Sequence, residues 1–159
     1  FSFYTYFIPN NIFIKSEFQK IDYKALHKDF QFECSDCHNL FPPHLLPKES
    51  WIKLMNEQNN HFDEDLELEK SLIESIKTFL VDNSAQNSTQ EASYKLLTEW
   101  KESEVFTITK TNYWKETHKN ISEEEFKSDK VESKTNCVAC HKDFEFGILD
   151  DVNIIYPKN

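Results

Sequence analysis

Apolar residues recur at helical spacing in three stretches of the chain, and each stretch predicts a helix that buries one face. The clearest runs from about Leu66 to Val81, where Leu72, Ile76 and Leu80 repeat every four residues and Ile73 and Phe79 widen the stripe. Glu and Asp crowd its expected first turn, where the positive end of the helix dipole favours them. A second helix begins at Pro47, a residue suited to a first turn, with Trp51, Leu54 and Met55 on one side. It runs out at the polar stretch Asn56 to Asn60. The third, about Gln90 to Glu102, sets Tyr94, Leu97 and Trp100 on one side. His61-Phe62-Asp63-Glu64 reads as a junction, and Asp82 to Thr89 as a polar linker.

Elsewhere the period is weaker. Phe18, Ile21 and Leu26 hint at a helix between Ser16 and Phe32, and Phe41-Pro42-Pro43 stops whatever precedes it, since neither proline can donate into a continuing helix. Thr107 to Thr111 reads as a short extended piece before a helical turn holding Tyr113, Trp114 and His118. Ile121 to Thr135 is charged and reads as loop with one helical turn, and Ile148 to Pro157 as extended. The opening Phe1 to Ile14 is uncharged and aromatic, is interrupted by Pro9, and is too short to span a bilayer as a helix. It is expected to pack on the domain. The fold class that follows is mostly α: a small, irregular helical protein with little regular sheet. An aromatic-rich extension over residues 1–30 precedes a domain over 31–159, built of two halves of about 31–85 and 86–159.

Cysteine changes the picture. The only four cysteines fall in Cys34-Ser35-Asp36-Cys37-His38 and in Cys137-Val138-Ala139-Cys140-His141. Two Cys-x-x-Cys pairs are also compatible with a tetrahedral zinc cage or with dithiol redox chemistry. Neither accounts for a histidine directly after both second cysteines. Cys-x-x-Cys-His is the attachment run of a c-type haem: the thiols add across two vinyl groups and the histidine ligates the iron. Cys34, Cys37, Cys137 and Cys140 are therefore the expected attachment points, and His38 and His141 the proximal ligands, of two haem c groups. Each motif is expected to sit on a short helix, Cys34 to Leu40 and Cys137 to His141.

A haem iron with one histidine has a second axial position to fill, and four histidines remain. The interval from His38 forward to His61 equals the interval from His141 back to His118. Each interval holds one helix and a return, enough to cross a porphyrin and approach its other face. His61 and His118 are accordingly the expected distal ligands, each to the nearer motif, although a crossed pairing uses the same residues. His44 is too near His38 to swing round a porphyrin edge; it is expected to cap a loop or line a propionate. His27 is expected at the surface, and Met55 in the core.

Formal net charge is −10, and haem propionates add to it. That argues against nucleic acid and anionic membrane surfaces and for a redox partner with a basic docking surface. All 18 basic residues are Lys, so propionates must be held by Lys, backbone N–H groups or water.

The run Cys34-x-x-Cys-His-x-x-Phe-Pro-Pro, with Leu45-Leu46-Pro47, Ser50-Trp51 and His61-Phe62-x-Glu64 after it, resembles the bacterial dihaem cytochrome c family. Thr117-His118, the closing Cys-x-x-Cys-His and Phe144-Glu145-x-Gly147 match in order. The resemblance covers about Phe32 to Pro157. It implies a small exported, mostly helical protein whose two bis-His haems transfer electrons, serving membrane cytochromes b or soluble oxygen-binding haem proteins. Two departures stand out: the family tends to have Gly where Asp63 stands, and Arg where this chain has Lys.

The expectation is thus a periplasmic electron carrier with no small-molecule substrate of its own. Two histidines on one iron favour its ferric state relative to a Met/His pair, which predicts low potentials. The competing readings are a haem with one open axial site that binds oxygen, nitric oxide or peroxide, and an electron-feeding subunit of a periplasmic reductase.

Overall fold

A computed structural model describes residues 20–100, 107–149 and 153–157. Seven α-helices follow one another among these residues: α1 (Tyr23–Leu26), α2 (Lys28–Cys34), α3 (Lys48–Asn56), α4 (Lys70–Asp82), α5 (Glu91–Glu99), α6 (Asn112–Thr117) and α7 (Glu123–Phe126). Single 3₁₀ turns fill many of the connections. The described residues hold no strand, only two isolated bridges, His61 with Glu64 and His141 with Ile154. The mostly helical class expected from the pattern is what forms.

Side-chain caps start the short helices. The Asp22 carboxylate accepts from the Ala25 N–H to open α1, and the Thr111 hydroxyl accepts from the Trp114 N–H to open α6. Ser122 and Glu125 close a reciprocal capping box on α7. His27, expected at the surface, is half-buried instead. Its Nδ1 accepts from the Phe30 N–H at 3.0 Å, so it caps α2, and its Nε2 lies 3.2 Å from the Ser75 hydroxyl of α4.

The apolar stripe of α4 packs on α3, with Ile76 and Leu80 fully buried and Met55 beside them in the core. Burying one such side chain contributes about 1.5–3 kcal/mol. Phe30 and Tyr23 join this core from the N-terminal side, and Leu96 and Phe144 join it from the C-terminal side. One core therefore draws on both ends of the chain.

Several boundaries differ from the pattern. Helix α4 starts at Lys70 rather than near Leu66. Glu67 is left-handed (φ 48°), and the Leu66 N–H is held by the Gln58 carbonyl at 3.1 Å. Its acidic neighbours thus lie in the loop before the helix. Helix α5 is rotated from the expected face: Ala92, Ser93 and Leu96 are buried, Leu97 and Trp100 pack partly buried against the core, and Tyr94 is exposed. The reason is polar. The Ser93 hydroxyl donates to the His44 carbonyl at 2.9 Å, a buried contact that draws the small-residue face in. Leu26 is exposed, and Tyr23 and Phe30 take the buried places. Thr107 to Thr111 folds as a 3₁₀ turn rather than an extended piece. Phe1 to Ile14 and the end of the third expected helix beyond Trp100 lie outside the described residues.

Replacing Leu80 by Ala leaves a cavity at a fully buried site and is expected to destabilise the protein by about 2–5 kcal/mol, read by denaturant unfolding of the holoprotein.

Candidate haem sites

The first motif is not a helix but the end of one. Helix α2 stops at Cys34, where the Ser35 N–H returns to the Gln31 carbonyl at 3.2 Å, and the chain bends through Cys37 and His38. The second motif is a single 3₁₀ turn, Cys137–Ala139, with the His141 N–H returning to the Cys137 carbonyl at 2.8 Å. Both motifs are tight enough to direct two thiols and a histidine to one region, which is what the spacing requires.

Each motif histidine faces one of the two remaining candidates. The rings of His38 and His61 have centroids 6.3 Å apart and planes 21° apart. Those of His118 and His141 are 6.1 Å and 70° apart. Two metal–nitrogen bonds of about 2 Å each, with each ring centre about 1 Å behind its nitrogen, add to about 6 Å. The structure brings together His38 with His61 and His118 with His141; it does not bring the crossed pairs together.

The tautomers suit ligation. The His38 Nδ1–H donates to the Asn39 carbonyl at 2.8 Å, and the His118 Nδ1–H donates to the Trp114 carbonyl at 2.9 Å. A carbonyl only accepts, so in both rings the proton is on Nδ1 and the lone pair on Nε2. Burial, and then the neighbouring His38, lower the pKa of His61; burial lowers that of His118 against the opposing pull of the Trp114 hydrogen bond. Both are held in the neutral form that binds a metal.

Local structure fixes the distal pair by different means. His118 caps the C-terminus of α6 and stacks on Trp114, ring centroids 4.4 Å apart. His61 is held by a two-way backbone bridge with Glu64, at 2.7 and 3.1 Å. That small loop turns through Phe62 (φ 53°) and Asp63 (φ 75°), both left-handed. Asp tolerates this region better than most residues and Gly best.

The two sites differ in enclosure. His118, His141, Cys137 and Cys140 line a cleft of about 770 Å³ together with Trp114 and Phe126. Cys37 and His38 instead lie at the surface. Burial, with Glu33 adding to it, pushes the Cys34 thiol up to about 12, and burial pushes Cys137 to about 12. Burial raises Cys140 too, against the opposing charge of Lys142. Among the described residues, no three or more His, Cys, Asp or Glu side chains converge as a metal-ion site. The chemistry of the donor set fits haem c: thiols in Cys-x-x-Cys pairs, and imidazoles opposed at the spacing that two axial bonds to one iron require.

The sites also touch one another. The Asn39 amide donates to the Asn136 side-chain oxygen at 3.0 Å, joining the residue after one motif to the residue before the other. Phe41 meets His38 edge-on at 5.3 Å and Phe144 edge-on at 5.6 Å. No periodic signal marks either contact. The nearest hint is that Asn39 and Asn136 flank the motifs directly.

The sequence model of the family described as dihaem cytochrome c matches residues 30–148. A search of curated proteins finds no match. Among solved structures, the chain is similar to the diheme cytochrome c of Rhodobacter sphaeroides, at 31% identity, covering 77% of this chain and 96% of that one with a TM-score of 0.66. It is also similar to the diheme cytochrome c of Shewanella baltica OS155, at 25% identity, covering 81% and 91%, with a TM-score of 0.65.

The left-handed turn beside His61 yields a paired expectation. Asp63→Val places a β-branched residue at φ 75° and is expected to cost about 1–2 kcal/mol; Asp63→Gly is expected to be neutral or mildly stabilising. Thermal unfolding of both variants checks it.

Proposed function

The chain belongs to the dihaem cytochrome c family and carries two haem c groups, and on that footing we propose that it is an electron-transfer protein whose irons are each held between two histidines. Cys34 and Cys37 attach one haem and Cys137 and Cys140 the other. His38 and His61 are the axial pair of the first, and His141 and His118 of the second. The observation that carries this reading is the opposition of these imidazoles at 6.3 and 6.1 Å.

When bound, each haem supplies a one-electron ferric/ferrous couple. The residues hold that couple in place. The thioethers fix each porphyrin covalently, and the Nδ1–H bonds of His38 and His118 orient the rings and strengthen their donor nitrogens. With both axial positions filled by the chain, no position is left for a substrate, and the protein acts on none of its own. The Phe41–Phe144 and Asn39–Asn136 contacts support close approach of the sites and internal exchange of electrons.

Covalent haem attachment belongs to the outer side of an energy-transducing membrane, so the protein is read as periplasmic. No described helix is long and apolar enough to cross a membrane. Its partner is a redox protein, a membrane cytochrome b or a soluble haem protein, with a basic docking surface. Charge around the first site supports this. Glu57, Asp63, Glu64, Asp65, Glu67 and Glu69 are all exposed about His61, with no basic residue other than that ligand between Lys53 and Lys70. Such a field steers a cationic face toward that edge.

The strained loop after His61 favours a second reading at that one iron, in which His61 yields its place to a small diatomic ligand. Carbon monoxide binding by the unmutated ferrous protein would mark it; indifference to carbon monoxide is expected. His61→Ala and His118→Ala are each expected to open one site, seen as a high-spin ferric signal and a carbon monoxide shift in half of the haem.

Ring angle gives an independent check. Nearly parallel imidazoles split the two π-type d orbitals of iron strongly, and nearly perpendicular ones split them weakly. Two low-spin EPR species are therefore expected: a rhombic one from the 21° pair and a strongly anisotropic one from the 70° pair. His118→Ala should remove the anisotropic signal and leave the rhombic one.

A further inference from the structure

The imidazoles of the two sites differ in what fixes the plane of a ring. Each site has one ring tied by an Nδ1–H bond to a backbone carbonyl, His38 to Asn39 and His118 to Trp114. A carbonyl accepts over a broad range of directions, so such a bond restrains the edge of an imidazole without fixing its tilt. At the first site the flanking rings meet the pair edge-on: Phe41 stands at 74° to His38, and Phe62 at 82° to His61. At the second site the indole of Trp114 lies face to face on His118, with centroids 4.4 Å and planes 17° apart. This is the offset-stacked arrangement that aromatic pairs favour. Tilting either ring of so close a stack drives its edge into the other.

The indole is itself braced. Trp114 and His118 stand four residues apart at the end of α6 and so share one face. Phe126, the buried residue of α7, lies 5.4 Å from the indole. The Lys134 ammonium stands over both rings, 5.9 Å from Trp114 and 5.7 Å from Phe126. It is paired with Glu123 in the first turn of α7. The indole is therefore held from outside its own helix, and the smaller imidazole follows it. Phe126 reaches His118 only at 6.3 Å and 50°, so the plane of the ligand answers to Trp114.

Rotation about the iron–nitrogen bond is the freedom that ligation leaves to an axial imidazole. His141 belongs to the Cys137–His141 turn, whose two cysteines anchor the porphyrin, so the angle between the two rings at that iron depends on the plane of His118. We propose that Trp114 is a positioning residue: its indole sets the plane of His118 and so maintains the 70° crossing with His141 that distinguishes the second iron from the first, whose rings are 21° apart. The inference rests on the bis-His reading given above.

Frozen-solution EPR of the fully ferric holoprotein tests it, on the unmutated chain, Trp114→Leu and Trp114→Phe. In Trp114→Leu the stack is lost, while the backbone carbonyl that accepts from Nδ1 remains. Both haems are expected to stay low-spin. The largest g value of the strongly anisotropic species is expected to fall toward that of the rhombic one, whose own values stay and show that the fold is kept. Trp114→Phe retains an aromatic face and is expected to retain the anisotropic signal. An anisotropic signal unmoved in Trp114→Leu would overturn the proposal, as would its equal loss in both variants. A high-spin signal in Trp114→Leu would also overturn it, since the indole would then keep His118 on the iron rather than orient it. Two rhombic signals in the unmutated protein would remove the crossed angle and the proposal with it. Failure of the bis-His reading shows separately, as high-spin ferric haem in the unmutated protein.

Discussion

The spacing of the opposed imidazoles, 6.3 and 6.1 Å between ring centres, is the constraint on which the rest of this structure turns. A metal with two axial nitrogens tolerates little error in that distance, yet each pair is assembled from segments with a whole helix between them. The chain meets the demand with short, capped helices and single turns rather than with a sheet. The two isolated bridges among the described residues each pin one of the proposed ligands, His61 or His141. Helix α4, the longest described, carries no ligand. Its part is to bury Ile76 and Leu80 against α3 and so to hold α2, through His27 and Ser75, at the angle that presents Cys34.

The two sites satisfy the same constraint in contrasting surroundings. Around His118 the wall is aromatic, with Trp114 stacked on its ring and Phe126 beyond it. Around His61 the wall is an exposed acidic loop with two left-handed residues. Solvent exposure and local charge both tune a haem potential, so the two irons are not equivalent in this chain. The enclosed site favours a neutral iron environment, and the acidic one stabilises positive charge.

Much of this was legible in the residues. The two cysteine motifs, the histidine that closes each and the matching intervals to His61 and His118 all stand in the sequence, and the Leu72-Ile76-Leu80 stripe announces its helix. What the pattern missed was polar. The inward face of α5 is chosen by the Ser93–His44 bond, which no hydrophobic period records. The start of α4 is delayed by a left-handed Glu67 whose conformation has no sequence signature. His27 looked like a surface residue because a capping histidine resembles any other polar one. His44 is buried against Tyr23 and Gly147, which lie far from it along the chain, one on each side.

The bond between Asn39 and Asn136 links side chains 97 residues apart, and this separation bears on the order of assembly. A contact that closes so long a loop forms late, since its entropy must be met before it contributes. As an exported chain emerges N-terminus first, the first motif is therefore complete as a peptide well before its neighbourhood exists. Its thiols remain open to modification until the segment bearing Asn136 arrives. Cys137 and Cys140 have a shorter interval, because α5, α6 and α7 have already been made and only the segment through Tyr156 remains.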